Sequence, residues 1–317
     1  MSQSTPVPQS NDREPSALFY QSRLRRPLFD RAEGIYCWDR AGKRYVDGSS
    51  GAMVSNIGHA NPRVIEAMQA QMARGTFAYR LHFENEPAET LAHRVVEKMP
   101  AGLDRVFFVS GGSEAVESCI KMARQWAIAT GQASRYKVIS CFPSYHGATL
   151  GALSLTGYTP LTEPFLPMMA NMPKIPAPTC YLDRDELSMH ERGLRAAGRL
   201  REKIIAEGPD SVLAFIMEPV GGASTGALVA PDSYYGRVRE ICDEFGVLLI
   251  TDEVMTGAGR TGPFLGAGNW DLRGDLVALS KGFAAGYAPL GAMVADGRLV
   301  EAVLDAGGFL HGFTSAG

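Results

Sequence analysis

The chain has 317 residues, 45% of them hydrophobic and 21% charged, with a formal net charge of −3. That length suits one large or two ordinary domains with a sizeable core, and the near-neutral balance gives no reason to expect a nucleic acid or an anionic membrane as partner. No apolar stretch approaches the roughly 18 residues of a membrane span.

The five cysteines (Cys37, Cys119, Cys141, Cys180 and Cys242) are scattered, with no C-x-x-C and no Cys/His cluster at zinc spacing. An odd count without a framework fits reduced thiols, so a cytoplasmic protein is expected. Residues 1–16 are polar, contain proline and lack a signal pattern; they are expected to form a disordered tail.

In chain order, residues 34–47 predict a hairpin, two aromatic-rich runs around Asp39-Arg40-Ala41-Gly42-Lys43. Strand and helix then alternate. Apolar runs at 106–110, 137–142, 213–219, 247–253, 276–280 and 291–295 read as strands, and helical patterns fall at 114–130, 191–207 and 232–245. Short continuous apolar strands separated by helices predict an α/β fold with a mostly parallel sheet covered on both faces. Residues 157–184 are proline-rich and aperiodic, and read as a surface excursion or a plain structural connection.

Open parallel sheets bind ligands beyond the carboxyl ends of their strands. Ser110, Glu218, Asp252 and Lys281 all fall at such ends. After 106–110 the chain runs Gly111-Gly112-Ser113 into a helix, an arrangement that can hold an anion on free N–H groups and a hydroxyl. A tight turn with a serine cap would look the same. Gly257 to Gly262 formally spell G-x-G-x-x-G, yet Asp252 to Thr256 part them from the apolar run ending at Thr251 and Pro263 follows, so no dinucleotide site is expected.

An amine at 281 and a carboxylate at 252 suit a cofactor with an aldehyde at one end of a ring and a basic nitrogen at the other, as in pyridoxal phosphate. Asp252 would keep the ring nitrogen protonated, because a nearby opposite charge favours the cation. Lys281, in an enclosed site, would have a depressed pKa and serve as a base. Tyr145 could stack on the ring, and Glu218 adds an acid to the same row.

Five segments, "SGGSEAVESCIKMAR" (110–124), "YHGATLGALSLTG" (145–157), "EPVGGASTGALVAP" (218–231), "LLITDEVMTGAGRTG" (248–262) and "LSKGFAAGYAPLGAMVA" (279–295), resemble in order and spacing those of the class III (omega-type) aminotransferases, pyridoxal phosphate enzymes of fold type I. The resemblance covers roughly residues 30–317. It implies that Lys281 bonds the cofactor, Asp252 binds the pyridine nitrogen, Tyr145 stacks on the ring with Val254 on the opposite face, and His146 lies beside it. Gly112 and Ser113 would hold the phosphate, Glu218 would gate the donor pocket, and Met53 would line the substrate pocket with Tyr145. Thr314 would reach the phosphate of a neighbouring subunit's cofactor, making a homodimer.

The implied reaction moves an amino group from an amine, omega-amino acid or amino acid to a 2-oxo acid such as pyruvate, by a ping-pong Schiff-base mechanism without a metal. A decarboxylase, aminomutase or racemase of the same fold, or an inactive fragment, stays open at this point. By the same resemblance residues 17–55 would begin a small domain and 56–317 form the large cofactor-binding domain. Family members usually continue past the Thr314 motif into the rest of the small domain, which is missing from this sequence.

Overall fold

The computed structural model describes residues 16–312; the expected tail, apart from Ser16, and Thr314 lie outside them. Two sheets organise the chain. The first is antiparallel, built from β1 (Phe29–Glu33), β2 (Tyr36–Asp39) and β3 (Arg44–Val46). Its β2–β3 turn forms because Asp39 Oδ1 accepts from the N–H groups of Ala41 and Lys43, and Gly42 takes the left-handed φ of 80° that the turn needs. The expected hairpin is there, with β1 as an added strand whose sequence, Phe-Asp-Arg-Ala-Glu, is almost wholly exposed and carries no apolar signal.

The second sheet has seven strands: β4 (Leu103–Val109), β5 (Lys137–Phe142), β6 (Lys174–Pro176), β7 (Val212–Met217), β8 (Leu248–Asp252), β9 (Leu276–Leu279) and β10 (Gly291–Asp296). Their order is β4-β10-β9-β8-β7-β5-β6. Only β10 runs against its neighbours. The inner strands β7, β8, β9 and β10 are buried along their whole length, which is why they read as unbroken apolar runs. One layer packs helix Gly112–Ala129 through Val116, Cys119 and Ala123 against Ile216, Ile250 and Ala278. The other packs helices Met189–Glu207 and Asp232–Phe245 through Leu200, Val238 and Ile241 against Phe215 and Leu249.

The expected strands and helices are found, with ends displaced by up to three residues. Residues 157–184 are the exception. Instead of a simple excursion they supply β6, which extends the sheet edge beside β5 and buries Ile175. No helix among the described residues is long and apolar enough to cross a membrane.

Candidate active site

The carboxyl ends of β4, β5, β7, β8 and β9 open on one pocket, bordered by Gly112, Ser113, Tyr145, His146, Glu218, Asp252, Val254 and Lys281. Each residue owes its place to a strand that stops. At β4 the chain leaves Val109 and enters helix Gly112–Ala129 through an extended Gly111, with no side-chain cap on the helix N-terminus. A Cβ on Gly112 would sit 2.9 Å from Val254 Cγ1, so only glycine brings the helix end this close to β8. Ser113 Oγ accepts from the Ala148 N–H at 3.0 Å, which leaves its hydroxyl proton to donate elsewhere. Glu117 holds the facing loop by accepting from Thr149 Oγ1 at 2.6 Å and the Ala152 N–H at 3.0 Å.

At the far wall, Asp252 ends β8 and is 5% exposed. Its Oδ1 accepts from the Val254 N–H at 3.1 Å, and its Oδ2 lies 2.8 Å from His146 Nδ1. A carboxylate only accepts, so the His146 proton is assigned to Nδ1. Glu253 points the other way, as period-two alternation requires. It is fully buried, accepting from Gly266 N–H and Ala267 N–H at 2.8 Å and from Thr256 Oγ1. The "TDE" run thus splits into one pocket acid and one structural acid.

Glu218 follows β7. Its Oε2 accepts from the Tyr145 N–H at 3.1 Å and its Oε1 from the Gly222 N–H at 2.8 Å. Burial pushes the Glu218 carboxyl up, and the Asp252 charge adds to this while His146 opposes it. Burial likewise raises the Tyr145 phenol.

Lys281 follows β9 and an extended Ser280 whose Oγ donates to the Leu290 carbonyl at 3.0 Å. Lys281 takes a left-handed φ of 48°, a conformation that costs an L-residue roughly 1–2 kcal/mol. Burial pushes its amine below the ordinary lysine range, opposed by the charges of Asp252 and Glu218.

Among the expected site residues Met53 is not brought here. It belongs to a turn with left-handed Ser50 and Met53, and its carbonyl accepts from Arg260 Nη2 at 3.2 Å. Ser110 is at its strand end but does not border the pocket. Met255, Gly147 and Ser280 do border it; they lie outside helices and strands, where no periodic signal marks a facing direction. The G-x-G-x-x-G run is a series of turns leading to a 3-10 turn at Gly266–Trp270, not to an α-helix.

A mostly parallel sheet flanked by helices, with a buried acid and a half-buried lysine at its strand ends, is the large-domain architecture of fold type I pyridoxal phosphate enzymes. The family described as Aminotransferase class-III matches residues 20–317. An uncharacterised aminotransferase of Bacillus subtilis is 39% identical over 284 residues, covering 90% of this chain and 64% of that protein. The putrescine–pyruvate aminotransferase of Pseudomonas aeruginosa is 35% identical, covering 92% and 64%. Among solved structures, an (S)-enantioselective omega-transaminase from Thermomicrobium roseum matches with a TM-score of 0.87 at 38% identity, covering 91% of this chain and 64% of that one. An omega transaminase from Pseudomonas jessenii in complex with PMP matches with a TM-score of 0.87 at 32% identity, covering 91% and 65%. The chain belongs to the class-III aminotransferases. It spans about 64% of the length of these curated relatives.

The cofactor of the class is pyridoxal phosphate, and the residues present fit it. His146 Nε2 is buried and unpartnered among the described residues, the helix end is walled by glycines 112 and 147, and the acid and amine border a single cavity.

Proposed function

We propose that this site carries out pyridoxal phosphate-dependent transamination, moving an amino group from an amine, omega-amino acid or amino acid to a 2-oxo acid such as pyruvate in ping-pong fashion. The observation that carries the reading is the convergence of Lys281 and Asp252 on one pocket, with Asp252 held on both oxygens. When bound, the cofactor supplies an electrophilic carbonyl and a cationic ring that accepts electrons.

The chain's own residues do the rest. Asp252 holds negative charge against the ring nitrogen, and His146 and the Val254 N–H stop its carboxylate from rotating. Ser113 and the first turn of its helix bind the phosphate with the Ser113 hydroxyl, backbone N–H groups and the dipole; Gly112 lets them approach. Tyr145 and Val254, which border the pocket, would hold the ring between them. Lys281 Nζ, whose hold on its proton burial weakens, would take up and return the substrate proton. Glu218, anchored by two backbone N–H groups, borders the donor side, and Met53 is assigned to the substrate's approach.

Relatives named for putrescine and for hypotaurine or taurine with pyruvate support an amine or omega-amino donor. We assign residues 17–55 to a small domain and 56–317 to the large one. The working form is read as a homodimer with Thr314 at the partner's phosphate. A groove of about 850 Å³ along helix Pro62–Arg74, lined by Ile57, Val64, Met68 and Met72, supports a second copy covering that face; the helix has no buried residue. Free cysteines, four of five buried, support a cytoplasmic setting.

The test is a panel of amine donors against pyruvate and 2-oxoglutarate, with borohydride labelling of the loaded protein. Oxo product and amino acid formed one for one, and label on Lys281, are expected. Carbon dioxide release or isomerised amine without acceptor turnover would overturn transamination.

A further inference from the structure

Three residues far apart in sequence meet beside the small sheet, outside the pocket described above. Cys37 lies on β2, Asp47 follows β3, and His59 ends a loop that returns to the sheet edge. His59 is pinned there by its backbone, which exchanges hydrogen bonds with Gly34 at 2.8 and 3.0 Å. His59 Nε2 is 2.9 Å from Asp47 Oδ2 and 3.7 Å from Cys37 Sγ. The sulfur, nitrogen and carboxylate oxygen all lie within 4.8 Å of one another.

We propose that Cys37, Asp47 and His59 form a binding site for a zinc-class divalent cation, separate from the cofactor pocket and independent of the transamination reading. Zinc bonds of about 2.3 Å to sulfur and about 2.1 Å to nitrogen and oxygen set tetrahedral edges of roughly 3.4–3.6 Å. Two of the separations, 2.9 and 3.7 Å, lie on either side of those edges and the third is within 4.8 Å, so side-chain adjustment can seat an ion. The donor set is one thiolate, one imidazole and one carboxylate, which favours zinc over magnesium or calcium. Three protein ligands leave a fourth position for water or an incoming donor.

The surroundings suit a ligand set. Asp47 Oδ1 accepts from the Gly51 N–H at 3.1 Å, and Oδ2 also takes the Ser55 hydroxyl at 3.3 Å, which fixes the carboxylate plane. The Asp47 and His59 side chains are 16% and 30% exposed, open enough for an ion to arrive from solvent. A thiolate ligand must give up its proton, so binding releases the Cys37 proton to solvent.

The test uses the full chain, stripped with a chelator and titrated with cobalt(II) as a spectroscopic stand-in and with zinc by calorimetry. One ion per chain is expected, with a thiolate-to-cobalt charge-transfer band. Zinc should protect Cys37 from alkylation, read by mass spectrometry. Cys37→Ser should abolish the band and weaken zinc binding by at least about tenfold, and His59→Gln should weaken it similarly. Absence of the band in the unmodified chain, or an equal band and affinity in Cys37→Ser, means an adventitious ion only and overturns the proposal. The alkylation result on the unmodified chain decides the matter if either variant folds poorly.

Discussion

His146 Nδ1 and Asp252 Oδ2 lie 2.8 Å apart, the imidazole fully enclosed and the carboxylate 5% exposed. Asp252 Oδ1 is taken by the Val254 N–H, so the acid is held at both oxygens while bordering the pocket. A carboxylate fixed before any cation arrives loses little on reorganisation, which is what charge stabilisation in an enclosed site requires.

Asp252→Asn removes the charge and keeps the shape. Turnover should fall about 10²–10³-fold, equivalent to about 2.7–4 kcal/mol, with a smaller loss in cofactor affinity. His146→Ala leaves a buried carboxylate oxygen unpaired, costing about 1–3 kcal/mol. The cofactor-free protein should therefore melt lower in His146→Ala. Steady-state kinetics and thermal melts check both; near-wild-type turnover in Asp252→Asn would falsify the assigned role.

Lys281→Ala should stop turnover, by at least about 10²–10⁴-fold, while phosphate-anchored binding survives, because Gly112 and Ser113 are untouched. Equilibrium binding of pyridoxal phosphate separates the two effects. A variant that still turns over at a comparable rate rules out the amine at 281 as the proton carrier.

Gly112→Ala places a methyl 2.9 Å from Val254 Cγ1 and 3.6 Å from Ser280 Cβ. Overpacking of this kind costs about 1–3 kcal/mol. Since the strain falls at the mouth of the helix, cofactor affinity should drop along with the melting temperature. An unchanged dissociation constant would show that the helix end does not meet the cofactor.

Much of this arrangement was legible in the sequence because buried parallel strands write themselves as apolar runs. β7, buried at all six positions, stands out in "LAFIMEP", and the residue after it is the pocket acid Glu218. β6 does not stand out: three residues long, it buries only Ile175 between Lys174 and Pro176. Asp252 was legible at its strand end, whereas the structural role of Glu253 was not, since its partners Gly266 and Ala267 lie in a distant turn. Cys37, Asp47 and His59 were invisible as a cluster because the β1–β3 sheet and a returning loop bring them together, at no familiar spacing. The place of Met53 was no more readable: it sits in a left-handed turn and its carbonyl accepts from Arg260.

The lysine's titration gives a test that needs no turnover. Burial favours the neutral amine of Lys281, and the charges of Asp252 and Glu218 partly restore the cation. Glu218→Gln removes one of those charges, so the amine's pKa should fall further. In cofactor-free protein, the pH profile of Lys281 acylation, followed by mass spectrometry, should move to lower pH in the variant. An unchanged profile would mean that the Glu218 charge does not reach the amine.

The last prediction concerns the sheet rather than the pocket. Asp296 ends β10, is 2% exposed, and caps the next helix through the Arg298 N–H at 2.9 Å. Burial opposes its ionisation, but hydrogen bonds from Arg298 and Arg273 outweigh this and hold its pKa at about 2. An unfolded aspartate titrates near 3.9. The folded value being the lower, its contribution is present above pH of about 4 and is lost as pH falls toward 2. Integrated over that window it amounts to about 2–3 kcal/mol. Asp296→Asn should be less stable than wild type at pH 7 by a similar amount, and the gap should close in acid. Denaturant unfolding at pH 7, 4 and 3 measures it, and a gap that stays constant with pH would assign the residue's value to its cap alone.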